Sequence, residues 1–354
     1  MTIAVDCRMT DASGIGVYLR GSLPSLLQSE HNFLLLGNAQ RLKSFVLRAN
    51  VKIIECNVKP FSIKELFFFP GKILKQINKA DVFYSPFFNI PGGIKVPVYT
   101  TIHDIIFPDM PELLSKAGLA VRMWFFRRAF SKSRKIFTVS EFSKSRIEHH
   151  LGAEKPIIVT HSAIQKIFLD YRANTREVQK KETIIFIGNI KKHKGLDCLL
   201  DAFCLAKKDG LPHQLVIIGS KENFRSSDNA ILQKIEAIRE TISFTGFVCD
   251  EELMEYLSTA ALLVQPSLYE GFCLPPLEAM VLGTNALVSD IPVLKEVYAG
   301  FPVAFFRAGD CADLKEKMLD MLFNKKPSSP ALPDELLLMY TFKKTASKIM
   351  KELQ

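Results

Sequence analysis

Glu270 and Glu278 stand with seven residues between them in the string Ser267-Leu-Tyr-Glu-Gly-Phe-Cys-Leu-Pro-Pro-Leu-Glu-Ala-Met280. The string follows an apolar run that closes on Gln265-Pro266, so Glu270-Gly271 reads as a loop leaving a strand. Pro275-Pro276 marks a helix start, a position that tolerates proline. Backbone amides at such a start are unpaired donors, and the helix dipole favours an anion there. Glu270 then stands in the loop mouth, and Glu278 lies about one turn into the helix. A carboxylate there can accept hydrogen bonds from the vicinal hydroxyls of a ribose. Singly, each glutamate has a plainer reading, as a loop charge or a solvated helix residue. The whole string weighs against it.

Four further clusters could do chemistry. Ile187-Gly-Asn-Ile-Lys-Lys-His-Lys-Gly195 lies between a strand and a helix. Its cations either neutralise a leaving diphosphate or form a solvated lysine-rich turn. Ser13-Gly-Ile-Gly-Val-Tyr18 is a Gly-x-Gly turn after the first strand. It is not a dinucleotide fingerprint, because Leu19 occupies the third glycine position. Gly14 and Gly16 serve a ligand or merely a tight strand-to-helix turn. Thr101-Ile-His-Asp104 closes an apolar strand, which places His103 and Asp104 at a carboxyl edge, as site residues or as structural ones. Ser140-Glu-Phe-Ser-Lys144 follows the next strand, and Ser140 fits a ligand contact and a helix N-cap equally well.

The elements that must position these residues follow one grammar twice. Thr2–Asp6, Phe33–Leu36, Val51–Ile54, Val82–Ser85, Val98–His103, Lys135–Ser140 and Ile157–Thr160 read as buried parallel strands. A polar stretch, Gln165 to Glu182, reads as an interdomain connection. Beyond it come strands at Thr183–Gly188, Gln214–Gly219, Ile242–Thr245, Leu262–Gln265, Ala286–Ser289 and Val303–Phe305. Helices are expected at Gly195–Lys208 and Asn229–Glu240. The alternation predicts two α/β, doubly wound, Rossmann-like domains facing across a cleft, with ligands at the carboxyl ends of the strands. The division expected is 1–165, 166–335, and a C-terminal helix in 336–354. Ala346, Ile349, Met350 and Leu353 share one face of that helix, which can pack back on the N-terminal domain or on the other one.

The glutamate string resembles the EX7E signature of glycosyltransferase family 4, a retaining family with the GT-B fold. The resemblance covers nearly the full chain and is stronger in its second half. It implies that Glu270 lies by the donor sugar and Glu278 binds the nucleotide ribose. Backbone amides of Gly271, Phe272, Cys273 and Leu274 would hold sugar hydroxyls and diphosphate. The family often has glycine where Cys273 stands. Lys194 matches the lysine of the family's Gly-Arg, four residues, Lys-Gly pattern. Asn189 stands in place of the arginine, leaving Lys194 as the main neutralising charge and Asn189 as a neutral donor. Gly14 and Gly16 correspond to the loop near donor phosphate and acceptor. His103-Asp104 is similar to the family's HD, whose histidine faces the reacting sugar. The resemblance makes the N-terminal domain acceptor-binding and the C-terminal domain nucleotide-sugar-binding. Ser289 to Glu296 is similar to bacterial O-antigen and capsule mannosyl- or rhamnosyltransferases. That favours a GDP-mannose-like donor over a UDP-sugar, and a glycan or lipid-linked glycan acceptor in surface, lipopolysaccharide-type polysaccharide synthesis.

Composition narrows the classes. The 354 residues are 48% hydrophobic and 23% charged, ordinary globular material. Seven scattered cysteines without a CxxC spacing argue against a zinc site or disulfide framework and for a reducing compartment. His149-His150 points two ways on a helix, so no metal and no cofactor is expected. The amino-terminal run is polar, giving no signal-peptide pattern, and no stretch of roughly 18 apolar residues occurs. The expected location is cytoplasmic.

Residues 1–150 carry 21 Lys+Arg against 11 Asp+Glu, whereas the rest carry 25 against 26. Such asymmetry suggests an anionic partner surface, nucleic acid or acidic lipid. No RRM, KH or zinc pattern appears, and nucleic acid would leave Glu270 and Glu278 without a purpose. Segments 61–75 and 122–135 mix aromatics with cations. They suit peripheral contact with an anionic membrane on its inner face, or a core helix with a solvated basic face. Two rival readings are a sugar-nucleotide 2-epimerase on the same fold and a non-catalytic carbohydrate- or lipid-binding module.

Overall fold

The computed structural model describes residues 1–46, 48–174, 178–219, 235–236, 238–323 and 332–354. The chain forms two compact units, Met1–Ala163 with Tyr340–Gln354, and Ile164–Met339.

Unit 1 holds strands β1 (Thr2–Asp6), β2 (Asn32–Gly37), β3 (Val51–Glu55), β4 (Val82–Ser85), β5 (Val98–Thr101), β6 (Ser133–Thr138) and β7 (Ile157–Val159). Their order is β3-β2-β1-β4-β5-β6-β7, and every pairing is parallel. Central strands such as β4 and β5 are buried along their whole length. That is why their sequences are continuous apolar or small runs and do not alternate. Helices include α1 (Ser13–Leu26), α2 (Ile63–Phe67), α3 (Gly71–Ile77), α4 (Lys116–Lys132) and α5 (Glu141–Leu151).

Unit 2 opens with α6 (Lys166–Asn174), followed by β8 (Thr183–Ile187), α7 (Leu196–Lys208), β9 (Gln214–Ile218), β10 (Ile242–Gly246) and α8 (Asp250–Thr259). It continues with β11 (Leu262–Gln265), α9 (Pro275–Val281), β12 (Asn285–Ser289), α10 (Pro292–Val297), β13 (Ala304–Phe306) and α11 (Cys311–Phe323). The sheet runs β10-β9-β8-β11-β12-β13, again all parallel. Its core joins Ile184, Phe186, Leu215, Leu262 and Leu287 to Leu199 and Phe203 of α7.

In each sheet the chain winds outward on one side of its first strand and then crosses to the other side. Unit 1 therefore has a switch point between β1 and β4, and unit 2 has one between β8 and β11. Loops at the carboxyl ends diverge there and leave room for a ligand.

The stretch from Gln165 to Glu182, read as a connection, is corrected in part. Residues 166–174 form α6, which buries Phe168 and packs against α9 within unit 2. Ile167, Leu169 and Tyr171 stay only partly buried, so the segment shows no sharp apolar stripe to read. The expected helix at 229–240 falls mostly outside the described residues. The last helix, α12 (Phe342–Leu353), belongs to unit 1 and lies against α1. Ala346, Ile349 and Leu353 are buried there. A side chain at Gly21 of α1 would collide with the Phe342 ring. Among the described residues no helix is long and apolar enough to cross a membrane.

Candidate active site

In unit 2 the loops on either side of the switch point meet through one ion pair. Lys194 Nζ donates to Glu270 Oε1 at 2.7 Å and to Oε2 at 2.9 Å, bridging 76 residues of sequence. Gly195 makes this approach possible. It has φ of +68°, and a Cβ there would strike the Pro266 carbonyl oxygen. The His193 carbonyl accepts from Leu268 N at 2.7 Å, which fastens the two loops again. A short polar chain continues inward. Ser267 Oγ donates to Glu270 Oε1 at 2.7 Å, and Gln265 Nε2 donates to Ser267 Oγ at 3.0 Å. Gln265 Oε1 is buried with no partner among the described residues.

The two glutamates are driven in opposite directions. Burial opposes ionisation of Glu270, yet Lys194 and Ser267 together hold its carboxyl below the usual range. Glu278 has no such cation. Burial, aided by the nearby charge of Asp250, pushes it up to about 8. Glu270 is thus a carboxylate and Glu278 a neutral acid at pH 7. Burial, followed by the Lys194 charge, also pushes His193 down to about 4. His193 therefore adds no charge at pH 7, and the basic side chains of this loop are Lys191, Lys192 and Lys194.

The loop from Glu270 to Leu274 is buried over Gly271, Phe272 and Cys273. Cys273 takes φ of +72°, a left-handed conformation that glycine adopts without penalty. Tyr298 Oη pins the segment, donating to the Cys273 carbonyl and accepting from Leu277 N. This corrects the expectation of unpaired amides at the helix start. Pro275 and Pro276 have no N–H, and the Leu277 amide is taken by Tyr298. Any anion must be met by amides before Pro275 and by side chains. Asn189 is partly exposed in the loop after β8.

Unit 1 gathers a second set. Gly16 cannot carry a side chain, because a Cβ would collide with the Thr10 carbonyl oxygen, whereas Gly14 faces open space. One turn on, Tyr18 meets His103 edge-on, with ring centroids 4.7 Å apart. His103 Nε2 lies 2.9 Å from the Pro86 carbonyl oxygen, which assigns the proton to Nε2 and leaves Nδ1 an acceptor. Burial pushes His103 down to about 4, so the ring is neutral at pH 7. Ser140 caps α5, its Oγ accepting from Ser143 N, and Ser143 Oγ donates to the His103 carbonyl at 3.0 Å. Asp104 Oδ1 accepts from Ile106 N at 3.2 Å.

Sequence reading had passed over Tyr298, Gln265 and Ser289, which donates to the Ser267 carbonyl. Gln265 is an ordinary strand end, and nothing near Tyr298 or Ser289 announces a loop 20 or more residues away. Asp250 shows one local signal, in the acidic first turn of α8.

Two family models divide the chain. The model described as Glycosyltransferase Family 4 matches residues 12–165, and that described as Glycosyl transferases group 1 matches 168–330. The serotype-specific mannosyltransferase WbdA of Escherichia coli is 30% identical over 201 residues, which is 53% of this chain and 24% of that protein. The O-antigen chain mannosyltransferase B of Escherichia coli is 29% identical over 230 residues, 62% of this chain and 59% of that protein. The matched region thus spans about a quarter to three-fifths of these relatives' length. The structure of Anabaena Alr3699/HepE in complex with UDP-glucose matches with a TM-score of 0.73. It is 15% identical, covering 100% of this chain and 99% of that one. Likeness at that identity is one of fold.

Proposed function

The chain belongs to glycosyltransferase family 4, with the GT-B fold and the group 1 domain, and from that premise we propose that it is a retaining hexosyltransferase. The donor is a nucleoside-diphosphate sugar, GDP-mannose-like ahead of a UDP-sugar, a choice favoured by the mannosyltransferase names of its relatives. The acceptor is a hydroxyl of a glycan or lipid-linked glycan in surface polysaccharide synthesis.

The observation that carries this reading is the Lys194–Glu270 pair at the switch point of unit 2. The pair is partly buried, and its two charges face each other at 2.7 Å. A diphosphate would draw Lys194 away, and Glu270 would then accept a hydrogen bond from a sugar hydroxyl. Glu278 would take the ribose hydroxyls, and the amides of Gly271, Phe272, Cys273 and Leu274 the sugar and phosphate oxygens. Asn189 would add a neutral donor. Gly14 and Gly16 allow close backbone approach, and neutral His103 would accept from the reacting sugar through Nδ1. Asp104 and Ser140 support that edge.

In the reaction the acceptor oxygen attacks the anomeric carbon on the face the diphosphate leaves. The new C–O bond forms as the bond to the β-phosphate oxygen breaks, and the hydroxyl proton passes to the departing diphosphate. Configuration is thereby retained. Lys194 stabilises the charge that grows on the leaving group.

A thermal-shift panel of UDP-, GDP- and dTDP-sugars tests the donor site. At ligand near 100 times Kd the wild type should gain about 2.7 kcal/mol, a gain that Lys194→Ala should lose. No stabilisation by any nucleotide sugar would overturn the proposal. An epimerase would convert the sugar with no acceptor present. A binding module would leave the donor intact and keep its affinity in Glu270→Ala.

A further inference from the structure

Five large apolar side chains stand exposed on one part of unit 1. Ile63, Phe67 and Phe68 are 71%, 70% and 71% exposed, and Val121 and Trp124 are 58% and 48% exposed. Ordinary surfaces scatter such residues singly. Here they come from two segments separated in sequence but joined in the fold. The Phe61 ring meets Phe125 of α4 at 5.0 Å, and Arg122 of α4 lies over Phe61 and Phe88. Gly92 N donates to the Glu65 carbonyl of α2 at 2.8 Å. Arg128 of α4 donates to the Ile90 carbonyl at 2.7 Å. The loop after β4 thus ties α2 and α4 into one surface.

The charge of that surface is one-sided. No Asp or Glu occurs between Leu113 and Ser140, and Glu65 is the single one between Cys56 and Ala80. Glu65 does not face solvent. Its Oε1 accepts from Arg8 Nη2 at 2.5 Å and from Asn89 Nδ2 at 3.0 Å, and its Oε2 accepts from Phe61 N at 2.5 Å. The one carboxylate is spent inside, anchoring α2 to the end of β1. Lys64, Lys72, Lys75, Arg127 and Lys132 remain exposed among the aromatics. α4 shows the division along its own length: Phe125, Phe126, Ala129 and Phe130 are buried, while Val121, Trp124 and Arg127 share the outer face.

We propose that this face of unit 1 docks on an anionic lipid bilayer, with Phe67, Phe68 and Trp124 entering the headgroup region and the lysines and arginines pairing with lipid phosphates. Exposed aromatics ringed by cations bind the interface by apolar burial and by attraction to anionic lipid. A polar protein partner would gain nothing from three bare aromatics, and nucleic acid would leave the aliphatic Ile63 and Val121 unused. The segment carrying Phe67 and Phe68 follows β3 and α4 follows β5, so both come after the carboxyl edge of the parallel sheet from which His103 also emerges. An acceptor carried on a lipid would meet the chain at that edge, a corollary that rests on the transferase reading. Docking itself does not, and its test needs no activity.

Trp124 is the chain's one tryptophan, so its fluorescence reports on this face. The full chain is mixed at low salt with vesicles of phosphatidylcholine alone or with phosphatidylglycerol. Only the anionic vesicles should carry the protein on flotation, blue-shift Trp124, and quench it when their acyl chains are brominated. Phe67→Ser with Phe68→Ser, and separately Arg127→Glu with Lys132→Glu, should each weaken partitioning at least about tenfold. Lys317→Glu, on an exposed helix position of unit 2, should leave it unchanged. Equal partitioning on neutral vesicles, no partitioning at all, binding with Trp124 unquenched, or wild-type binding by both double variants would each overturn the proposal.

Discussion

Cys273 holds a backbone conformation for which its own side chain is the obstacle. Its φ of +72° costs a non-glycine residue about 1 kcal/mol. Cys273→Gly should therefore raise the melting temperature by about 2 °C, measured by calorimetry, because relief in the folded loop outweighs the added freedom of the unfolded chain. Glu278 makes the opposite kind of demand. Folded, it keeps its proton up to about pH 8, and unfolded it loses it near the ordinary 4.5. Between those values the unfolded chain binds fewer protons, so this residue lowers stability as pH rises from 4.5 to 8. The full effect above pH 8 is up to about 5 kcal/mol. Glu278→Gln should match the wild type in stability near pH 4 and exceed it by several degrees in melting temperature at pH 8. The same variant should weaken nucleotide-sugar binding at least about tenfold. A stability gap independent of pH would show that the carboxyl ionises normally.

At the scale of elements, the donor loop is held by groups that neighbouring strands and helices bring to it. The Tyr298 hydroxyl, carried at the end of α10, closes a bridge between the Cys273 carbonyl and the Leu277 amide. Tyr298→Phe leaves two buried backbone groups without that partner, at a cost of about 1–3 kcal/mol. Chemical denaturation should register the loss. If the bridge positions the loop for donor, KM for the nucleotide sugar should rise while kcat changes less. Gly195 sits under a harsher constraint, with positive φ and the Pro266 carbonyl against its Cα. Gly195→Ala should push the loops after β8 and β11 apart. The expected outcome is loss of the Lys194–Glu270 pair, read as weaker donor binding, with destabilisation of about 3 kcal/mol.

For the whole molecule, the chain's end belongs to its beginning. Tyr340–Gln354 joins unit 1 although 176 residues of unit 2 precede it. Phe342 fills the space that Gly21 leaves open, Lys135 Nζ pairs with Glu352 at 2.8 Å, and Thr345 Oγ1 donates to the His161 carbonyl. Ending the chain at Met339 would strip the apolar face of Phe342, Ala346, Ile349 and Leu353 from α1. Unit 1 should then melt at least 5–10 °C lower, by about 3 kcal/mol or more, while proteolysis leaves unit 2 intact. Loss of both units together would mean that they unfold as one.

Much of this fold was legible because its rules are local. Runs such as Val82–Ser85 are buried on both faces, so burial appears as an unbroken apolar string. The spacing of Glu270 and Glu278, the Gly-x-Gly turn and the strand-end His103 are likewise short-range facts. α6 escaped because Phe168 alone is buried in it, and the supposed donors of α9 failed because Tyr298 had already claimed the one amide left by two prolines. The amino-acid order by itself determined which segments become parallel strands, which helices cover them, and which residue types stand at the carboxyl ends. Tertiary structure alone decided the partnerships: Lys194 with Glu270, Tyr298 with Cys273, Phe342 with Gly21, and α2 with α4. Those pairings depend on where the strand order reverses and on which surfaces remain to be covered. No period within a single segment encodes them, because each partner lies tens or hundreds of residues away.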